Sequence, residues 1–247
     1  MKKTLLFILA AALGVPAAFA QDNVQAAAQK ALRGSHFKNV QATVANGVAT
    51  LTGTVDLYSD KLSADSKIRH VHGVQAIRDE IQVAGPEISD QQLQNKLVKT
   101  VAYSLLGYVP VAFQAISVQV HNGVVELAGH AAGPIAASDA VAAVANTKGV
   151  KDVIDNIQID PLSPMDNQIR IEAYRRIYGF PSLNKYAIDP EKPIRIQVAN
   201  GHITLYGTVD SEADKNAAGI QANTVPGAFS VTNDLQVANG GNEKPGK

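Results

Sequence analysis

The fold is decided by a twelve-residue stretch that occurs three times, first as Val44-Ala45-Asn46-Gly47-Val48-Ala49-Thr50-Leu51-Thr52-Gly53-Thr54-Val55. It returns at residues 120–131 and again at residues 198–209, so that its Asn-Gly pair recurs after 76 and then 78 residues. Nine glycines keep these two intervals: Gly47, Gly53, Gly73, Gly123, Gly129, Gly149, Gly201, Gly207 and Gly227. Landmarks that recur together at one spacing indicate tandem structural repeats.

Each copy of the stretch predicts a β-hairpin. Apolar and polar residues alternate on both sides of the Asn-Gly pair, and this pair favours the two-residue turn in which both central residues have positive φ. The glycine later in the second strand (Gly53 in the first copy) indicates a close backbone approach. We expect a helix to cross the strand at that glycine.

Helical periodicity flanks every hairpin. Leu93, Leu97 and Val101 recur every four residues before the second hairpin, and a further helical stretch, which a glycine ends, precedes a last alternating strand. The predicted order is helix-strand-strand-helix-strand, an α+β module whose mixed three-stranded sheet is covered on one face by two helices. We predict modules at residues 22–84, 88–160 and 165–238, with a disordered tail at residues 239–247.

The N-terminus predicts export. Lys2 and Lys3 precede an apolar run from Thr4 to Leu13, and Ala18-Phe19-Ala20 has the small-residue pattern of a cleavage site. Residues 1–20 therefore resemble a secretory signal peptide that is cleaved after Ala20. This prediction places the mature protein in the periplasm, without a transmembrane span.

Composition excludes several classes of function. The chain has no cysteine, and its 22 basic and 22 acidic residues leave no basic excess for nucleic-acid binding. No motif of nucleophilic or phosphate-binding chemistry occurs, and His70 and His72, two positions apart, do not share a helix face that could hold a metal. We predict no catalytic residue, no cofactor and no metal site.

The module order and the Val-x-Asn-Gly-x-Val/Ile-x-Leu-x-Gly pattern resemble the BON-domain family, over nearly the whole mature chain. The resemblance implies a non-enzymatic module that contacts phospholipid or other envelope surfaces. Family members are associated with membrane protection, outer-membrane maintenance, secretins and channels. No catalytic residue is implied.

One segment of the third repeat has the composition of a membrane-contacting surface. Arginines are interleaved with tyrosines in a helical stretch, and the long connection after it adds Lys185 and Tyr186, which suits an anionic headgroup interface. The candidate contact residues are Arg170, Tyr174, Arg175, Arg176, Tyr178, Lys185 and Tyr186. The alternative is that the tyrosines fill a helix–helix contact while the arginines are simply solvated.

Two further surfaces suggest contacts between modules. The uncovered sheet faces are polar and suit either a neighbouring module or water: Gln41, Thr43 and Thr52, then Gln119 and Glu126, then Arg195, Gln197 and Tyr206. An apolar stretch in the second repeat favours packing between modules over an exposed docking site: Tyr103, Leu106, Tyr108, Val109, Val111 and Phe113.

These observations favour a periplasmic envelope-binding protein that associates with phospholipid and protects the cell under envelope or osmotic stress. The first alternative is a protein-interaction or chaperone-like scaffold for envelope proteins. A weaker alternative is a peptidoglycan-associated binder.

Overall fold

The structure is a computed structural model, and it describes residues 17–106, 110–161 and 163–238, with side chains from residue 23 onward. Most of the predicted signal peptide and the predicted tail lie outside the described residues. Within the described ranges, no helix combines the length and the apolar character needed to cross a membrane. The chain forms two compact units, the first reaching Asp56 and including Asp60–Val83, the second containing Leu57–Ser59 and the residues from Ala84 onward.

Module 1 contains two helices and three strands. They are α1 (Ala17–Ala31), β1 (Val40–Ala45), β2 (Val48–Val55), α2 (Tyr58–Arg69) and β3 (Ala76–Val83). The sheet order is β1-β2-β3, in which β1 and β2 are antiparallel and β2 and β3 are parallel. The parallel pair needs a crossover connection, which α2 provides.

Module 2 repeats this order within the second unit. Its elements are α3 (Asp90–Ser104), β4 (Ala115–His121), β5 (Val124–Ala131), α4 (Pro134–Ala145) and β6 (Asp152–Ile159). A short 3₁₀ helix at Val111–Phe113 precedes β4. The sheet order β4-β5-β6 again combines an antiparallel hairpin with a parallel pair.

Module 3 follows in the same unit with interrupted strands. Its elements are α5 (Pro164–Tyr178), β7 (Arg195–Ala199), β8 (His202–Tyr206), β9 (Thr208–Val209), α6 (Glu212–Asn223), β10 (Ser230–Asn233) and β11 (Gln236–Val237). Strand β8 lies between β7 and β10, while β9 pairs with β11. The long connection before β7 contains a 3₁₀ helix at Asn184–Ala187.

The predicted α+β class with mixed three-stranded sheets is confirmed. The last strand of module 3, expected to be continuous, is split because Asp234 and Leu235 leave the ladder between β10 and β11. Helix α1 begins at Ala17 and passes through the predicted cleavage point after Ala20. Cleavage there, which stays a prediction, would shorten α1 by its first turn.

The three hairpins close with the expected turn. Asn46, Asn122 and Asn200 have φ of 51°, 52° and 53°, and the glycine after each also has positive φ. Ala45 pairs with Val48 at the end of the β1–β2 ladder, so the loop of the first hairpin contains only the Asn-Gly pair. Both positions therefore have the left-handed conformation that a type I′ turn requires.

The expectation that a helix crosses at the strand glycine is wrong. A Cβ on Gly53 would lie 1.8 Å from the carbonyl oxygen of Asn39, and one on Gly129 would lie 2.0 Å from that of Ala115. In module 3 the carbonyl of Pro193 approaches Gly207 in the same way. The residue just before or at the start of the first strand thus occupies the space, and the glycine lets the two backbones touch.

Each module has its own buried apolar cluster between its helices and one sheet face. The largest buried side chains include Leu51, Ile68 and Ile81 in module 1, Leu93, Leu97 and Leu127 in module 2, and Ile177, Ile196 and Leu205 in module 3. Burial of such side chains is the dominant favourable contribution to folding. The opposite sheet faces are mainly polar, as the alternation predicts, with Ile154 of β6 as an exposed apolar residue.

Candidate functional site

The structure removes Arg170 from the predicted membrane surface. Its side chain is only 5% exposed, and Nη2 donates to the carbonyl of Val198 at 2.9 Å. The same nitrogen lies 3.6 Å from the Asp160 carboxylate, which is itself 1% exposed. Burial lowers the pKa of Arg170, and the charge of Asp160 opposes that shift. Arg170 is therefore a buried structural cation.

Two of the predicted tyrosines are also structural. The Tyr178 hydroxyl donates to the carbonyl of Ile194 at 2.6 Å, and burial raises its pKa. The Tyr186 hydroxyl donates to Asp214 at 2.8 Å and accepts the backbone N–H of Asp210 at 2.7 Å. Both residues are buried. These tyrosines hold the long connection of module 3 against its helices and sheet.

Lys185 is neutralised by carboxylates rather than free for an anionic surface. Its Nζ lies 2.7 Å from Asp210 and 3.0 Å from Asp214, and these hydrogen bonds raise the pKa of Lys185. Burial acts to raise the pKa of Asp214, but hydrogen bonds from Lys185 and Tyr186 outweigh it and lower that pKa. The cluster fixes the connection to the start of α6.

The remaining members differ in exposure. Tyr174 packs edge-on against Phe113, with ring centroids 5.7 Å apart, and Arg176 donates to Glu172 at 2.8 Å and to Thr224. Arg175 extends into solvent, 4.0 Å from Glu172. The arginine–tyrosine pattern thus marks mainly internal contacts. Of its two exposed cations, Lys185 is paired with Asp210 and Asp214, whereas Arg175 extends furthest into solvent.

The open sheet face of module 3 packs against module 2. Gln197 Nε2 lies 3.0 Å from Asp160 Oδ1 and 2.7 Å from Nδ1 of His130, while Arg195 donates to the carbonyl of Gln114. Burial lowers the pKa of Arg195. The polar sheet face of module 3, predicted to suit a neighbouring module or water, therefore contacts module 2.

The apolar stretch of module 2 serves this same contact in part. Phe113, with Ala112, packs into the apolar cluster of module 3, so the interpretation as packing between modules is correct for Phe113. Val111 belongs to the cluster of module 2 itself. Tyr103 and Leu106 are exposed, and Tyr108 and Val109 lie outside the described residues.

A different part of module 3 carries exposed apolar side chains. Asp166 accepts the backbone N–H groups of Asn200 and Gly201, which ties the start of α5 to the hairpin turn. The N–H of Phe229 donates to the carbonyl of Gly201, which brings the loop after α6 to the same end. Met165, beside Asp166, is 64% exposed, and Phe229 is 74% exposed.

Two further residues extend this exposed end along α5. Ile171 is exposed, and it lines a groove of about 480 Å³ together with Met165, Arg175 and Pro226. We call Met165, Ile171, Arg175 and Phe229 the apolar end of module 3. Its composition, three large apolar side chains beside one exposed cation, suits the boundary between water and hydrocarbon.

Module 2 has polar residues at the positions that correspond to these three apolar side chains. Asp90 of module 2 holds its own hairpin turn, through the N–H groups of Asn122 and Gly123, as Asp166 does in module 3. In that register Met165 and Ile171 correspond to Ser89 and Asn95. Phe229 corresponds to Lys151 and Gln75, whose N–H groups bond to the equivalent turn glycines.

Sequence reasoning missed the apolar end because its residues are scattered. Met165, Ile171 and Phe229 form no periodic pattern, and only the turn anchored by Asp166 brings the helix start and the loop after α6 together. A usable signal was nevertheless present. Aligning the repeats shows apolar side chains at three positions that are polar in module 2.

Comparison with known proteins matches this chain to one protein family. The family model of the BON domain matches residues 20–85, 89–161 and 182–239. No curated protein matches. Similar solved structures include two described as CdsD, a structural protein of the type III secretion system of Chlamydia trachomatis. Their identities are 14% and 15%, they cover 87% and 88% of this chain and 92% and 96% of their own, and their TM-scores are 0.24 and 0.26.

Structural likeness at that level carries no argument about this protein, whereas the family match covers most of the chain. The BON-domain family is generally non-catalytic, and its proteins are typically periplasmic or membrane-associated. With three matches in tandem, this chain belongs to the BON-domain family.

Proposed function

We propose that this protein is a non-enzymatic binding protein of the cell envelope that associates with anionic phospholipid through the apolar end of module 3, in a protective role under envelope or osmotic stress. The supporting observation is that Met165 and Ile171 line one groove with Arg175, and that exposed Phe229 lies at the hairpin turn to which the start of α5 is tied. The exposure of these apolar side chains is unfavourable in water unless another surface covers them.

The expected association is weak and reversible. Full burial of a large apolar side chain contributes about 1.5–3 kcal/mol, and a cation near an anionic leaflet contributes about 1 kcal/mol. The residues of the apolar end are only partly buried by adsorption, and ordering costs reduce the sum further. The protein therefore lies on the membrane surface and dissociates when salt screens Arg175.

Co-sedimentation with vesicles tests this proposal. The protein should pellet with vesicles that contain phosphatidylglycerol, and less so with phosphatidylcholine alone or at high salt. The variant M165S/I171N/F229Q places the residues of the other modules at these positions and should reduce the bound fraction at least fivefold. I188S removes another exposed apolar side chain and should leave binding unchanged.

Two results would contradict the proposal: equal pelleting of the triple variant and the wild type, or no pelleting with any vesicle. R175E isolates the charge contribution, and it should weaken binding to anionic vesicles only. Arg170 is unsuitable for such a test because its buried position would make R170E a folding variant.

A second candidate function, a scaffold for envelope proteins, is favoured by the sheet face of module 1. The equivalent face of module 3 binds module 2 through Gln197 and Arg195, so this face is suited to protein contact. In module 1 it presents exposed Gln41, Thr43 and Thr52. Because the chain has no cysteine, T43C carries a crosslinker at one site. Discrete protein adducts that persist in M165S/I171N/F229Q would support the scaffold.

A further inference from the structure

We infer that module 2 contains a binding pocket for a small ligand with a carboxylate head and a short apolar body. The pocket lies at the start of α4 and has a volume of about 300 Å³. Its walls are mainly apolar and include Leu105, Ala132, Pro134, Ile135 and Ala136. The inference is independent of the apolar end of module 3.

The start of α4 supplies hydrogen-bond donors. Helix N-termini leave N–H groups without intrahelical partners and carry a partial positive charge, which favours anions. The N-cap residue is Gly133, which has no side chain to accept from them. Pro134 occupies the first turn and closes the helix start without filling the pocket. The backbone donors of this turn thus remain available.

Gln114 supplies the second, independent donor. Its side chain lines the pocket, although the residue is only 1% exposed. Oε1 accepts the N–H of Ala132 at 3.0 Å, which fixes the amide orientation. Across the described ranges no acceptor lies within bonding distance of Nε2. Nε2 is therefore available from the pocket, and a ligand acceptor placed there would receive its hydrogen bond.

The other two modules have an aspartate at the equivalent helix position, and in module 1 this residue, Asp60, lines a cavity of about 320 Å³. Asp60 of module 1 lies 3.1 Å from His36, and Asp214 of module 3 lies 3.0 Å from Lys185. In module 3, Ser211 also caps the helix by accepting the N–H of Asp214. The residue of module 2 that corresponds to Asp60 and Asp214 by the repeat spacing is Ala136. Module 2 therefore lacks the carboxylate that modules 1 and 3 have at this helix start, and a ligand carboxylate would take its place.

The pocket also limits what binds. Asp139 lies at its edge, half-buried, and its charge opposes an anion that is placed near it. The ligand head must then lie toward Gln114 and the first turn of α4, with its apolar body along Leu105 and Ile135. Free fatty acids and the C-terminus of an apolar peptide share this chemistry. D139N should tighten binding of either by a few-fold.

Titrations followed by amide NMR of the full protein test the inference. Octanoate and a leucine-ended peptide with a free C-terminus represent the two sources, with octylamine and the amidated peptide as their matched controls. We expect saturable shifts at Ile135, Ala136 and the Gln114 side-chain amide, with binding of the controls at least tenfold weaker. Preference for octanoate or for the peptide identifies the source.

A136D is the decisive variant because it gives module 2 the residue of the other modules. Aspartate in the first turn is favourable for a helix, so the fold is retained. We expect A136D to weaken octanoate binding at least tenfold, whereas S138D, which adds the same charge at an exposed position outside the pocket, has little effect. Unchanged binding by A136D, equal binding of octylamine, or no shift at α4 with any probe would overturn the inference.

Discussion

At the residue scale, the position late in the second strand of each hairpin is the one that most strictly requires glycine. Gly129 combines a φ of 111° with a carbonyl oxygen 2.0 Å from where its Cβ would be. An alanine there would combine an unfavourable backbone conformation with a clash between two backbones, which no rotamer change relieves.

G129A should therefore destabilise module 2 by about 2–4 kcal/mol, near the upper end for single substitutions. Gly133 offers a matched control four residues away: its φ is extended, and nothing lies within 4 Å of a Cβ built on it. G133A should change the free energy of unfolding by less than about 1 kcal/mol. Urea unfolding followed by circular dichroism measures both, and equal effects would refute the clash argument.

At the element scale, side chains bond to backbone groups along the edges of the three-stranded sheets. On one edge, Gln25 and Gln94 from the first helices bond to the backbone of Val44 and Val120. On the other, an acidic or amide side chain accepts an N–H from its own strand: Asp79 from Ile81, Asp155 from Ile157, and Asn233 from Leu235. Unpaired strand edges invite pairing with other chains, and these contacts occupy the edge groups.

D155T should consequently promote self-association. Threonine favours strands and frees the N–H of Ile157, next to the exposed Ile154. D155N removes the same charge but keeps a side-chain acceptor for the N–H of Ile157, as Asn233 does for Leu235 in module 3. Its self-association should equal that of the wild type. Sedimentation velocity at increasing concentration separates the two, and identical profiles would show that this contact does not protect the edge.

At the scale of the whole molecule, modules 2 and 3 are joined by a buried ion pair. Arg170 occupies the position of Gln25 and Gln94, yet it also reaches Asp160, after the last strand of module 2. Asp160 Oδ2 and Arg170 Nε have no hydrogen-bond partner among the described residues. Removing one member of such a pair leaves the other charged and buried.

R170Q, which restores the residue of the other modules, should cost about 3 kcal/mol because Asp160 loses its cation. The double variant R170Q/D160N removes both charges and should recover a large part of that loss. Thermal unfolding of the wild type, R170Q, D160N and the double variant forms a double-mutant cycle. Additive losses would mean that the pair does not couple the modules.

The sequence alone predicts the elements but not these surfaces, for a physical reason. The Asn-Gly turn and the helix and strand periodicities depend on local backbone geometry. The elements of each module can therefore be predicted from the sequence. Arg170 and Tyr186 have the spacing of a solvated helix face and loop, and only their partners Asp160 and Asp214, distant in sequence, make them internal. The pocket near Gln114 likewise depends on a small side chain, Ala136, at a position where the other modules have aspartate.

The Asn-Gly turns also determine how the protein ages chemically. Asparagine before glycine deamidates readily, since the glycine nitrogen reaches the side-chain carbonyl with little hindrance, and asparagine is among the thermolabile residues. Asp90 and Asp166 hold the nitrogens of Gly123 and Gly201 in hydrogen bonds. No described carboxylate of module 1 holds that of Gly47. Isoaspartate should therefore accumulate first at Asn46, and prolonged storage would weaken module 1 before the other two.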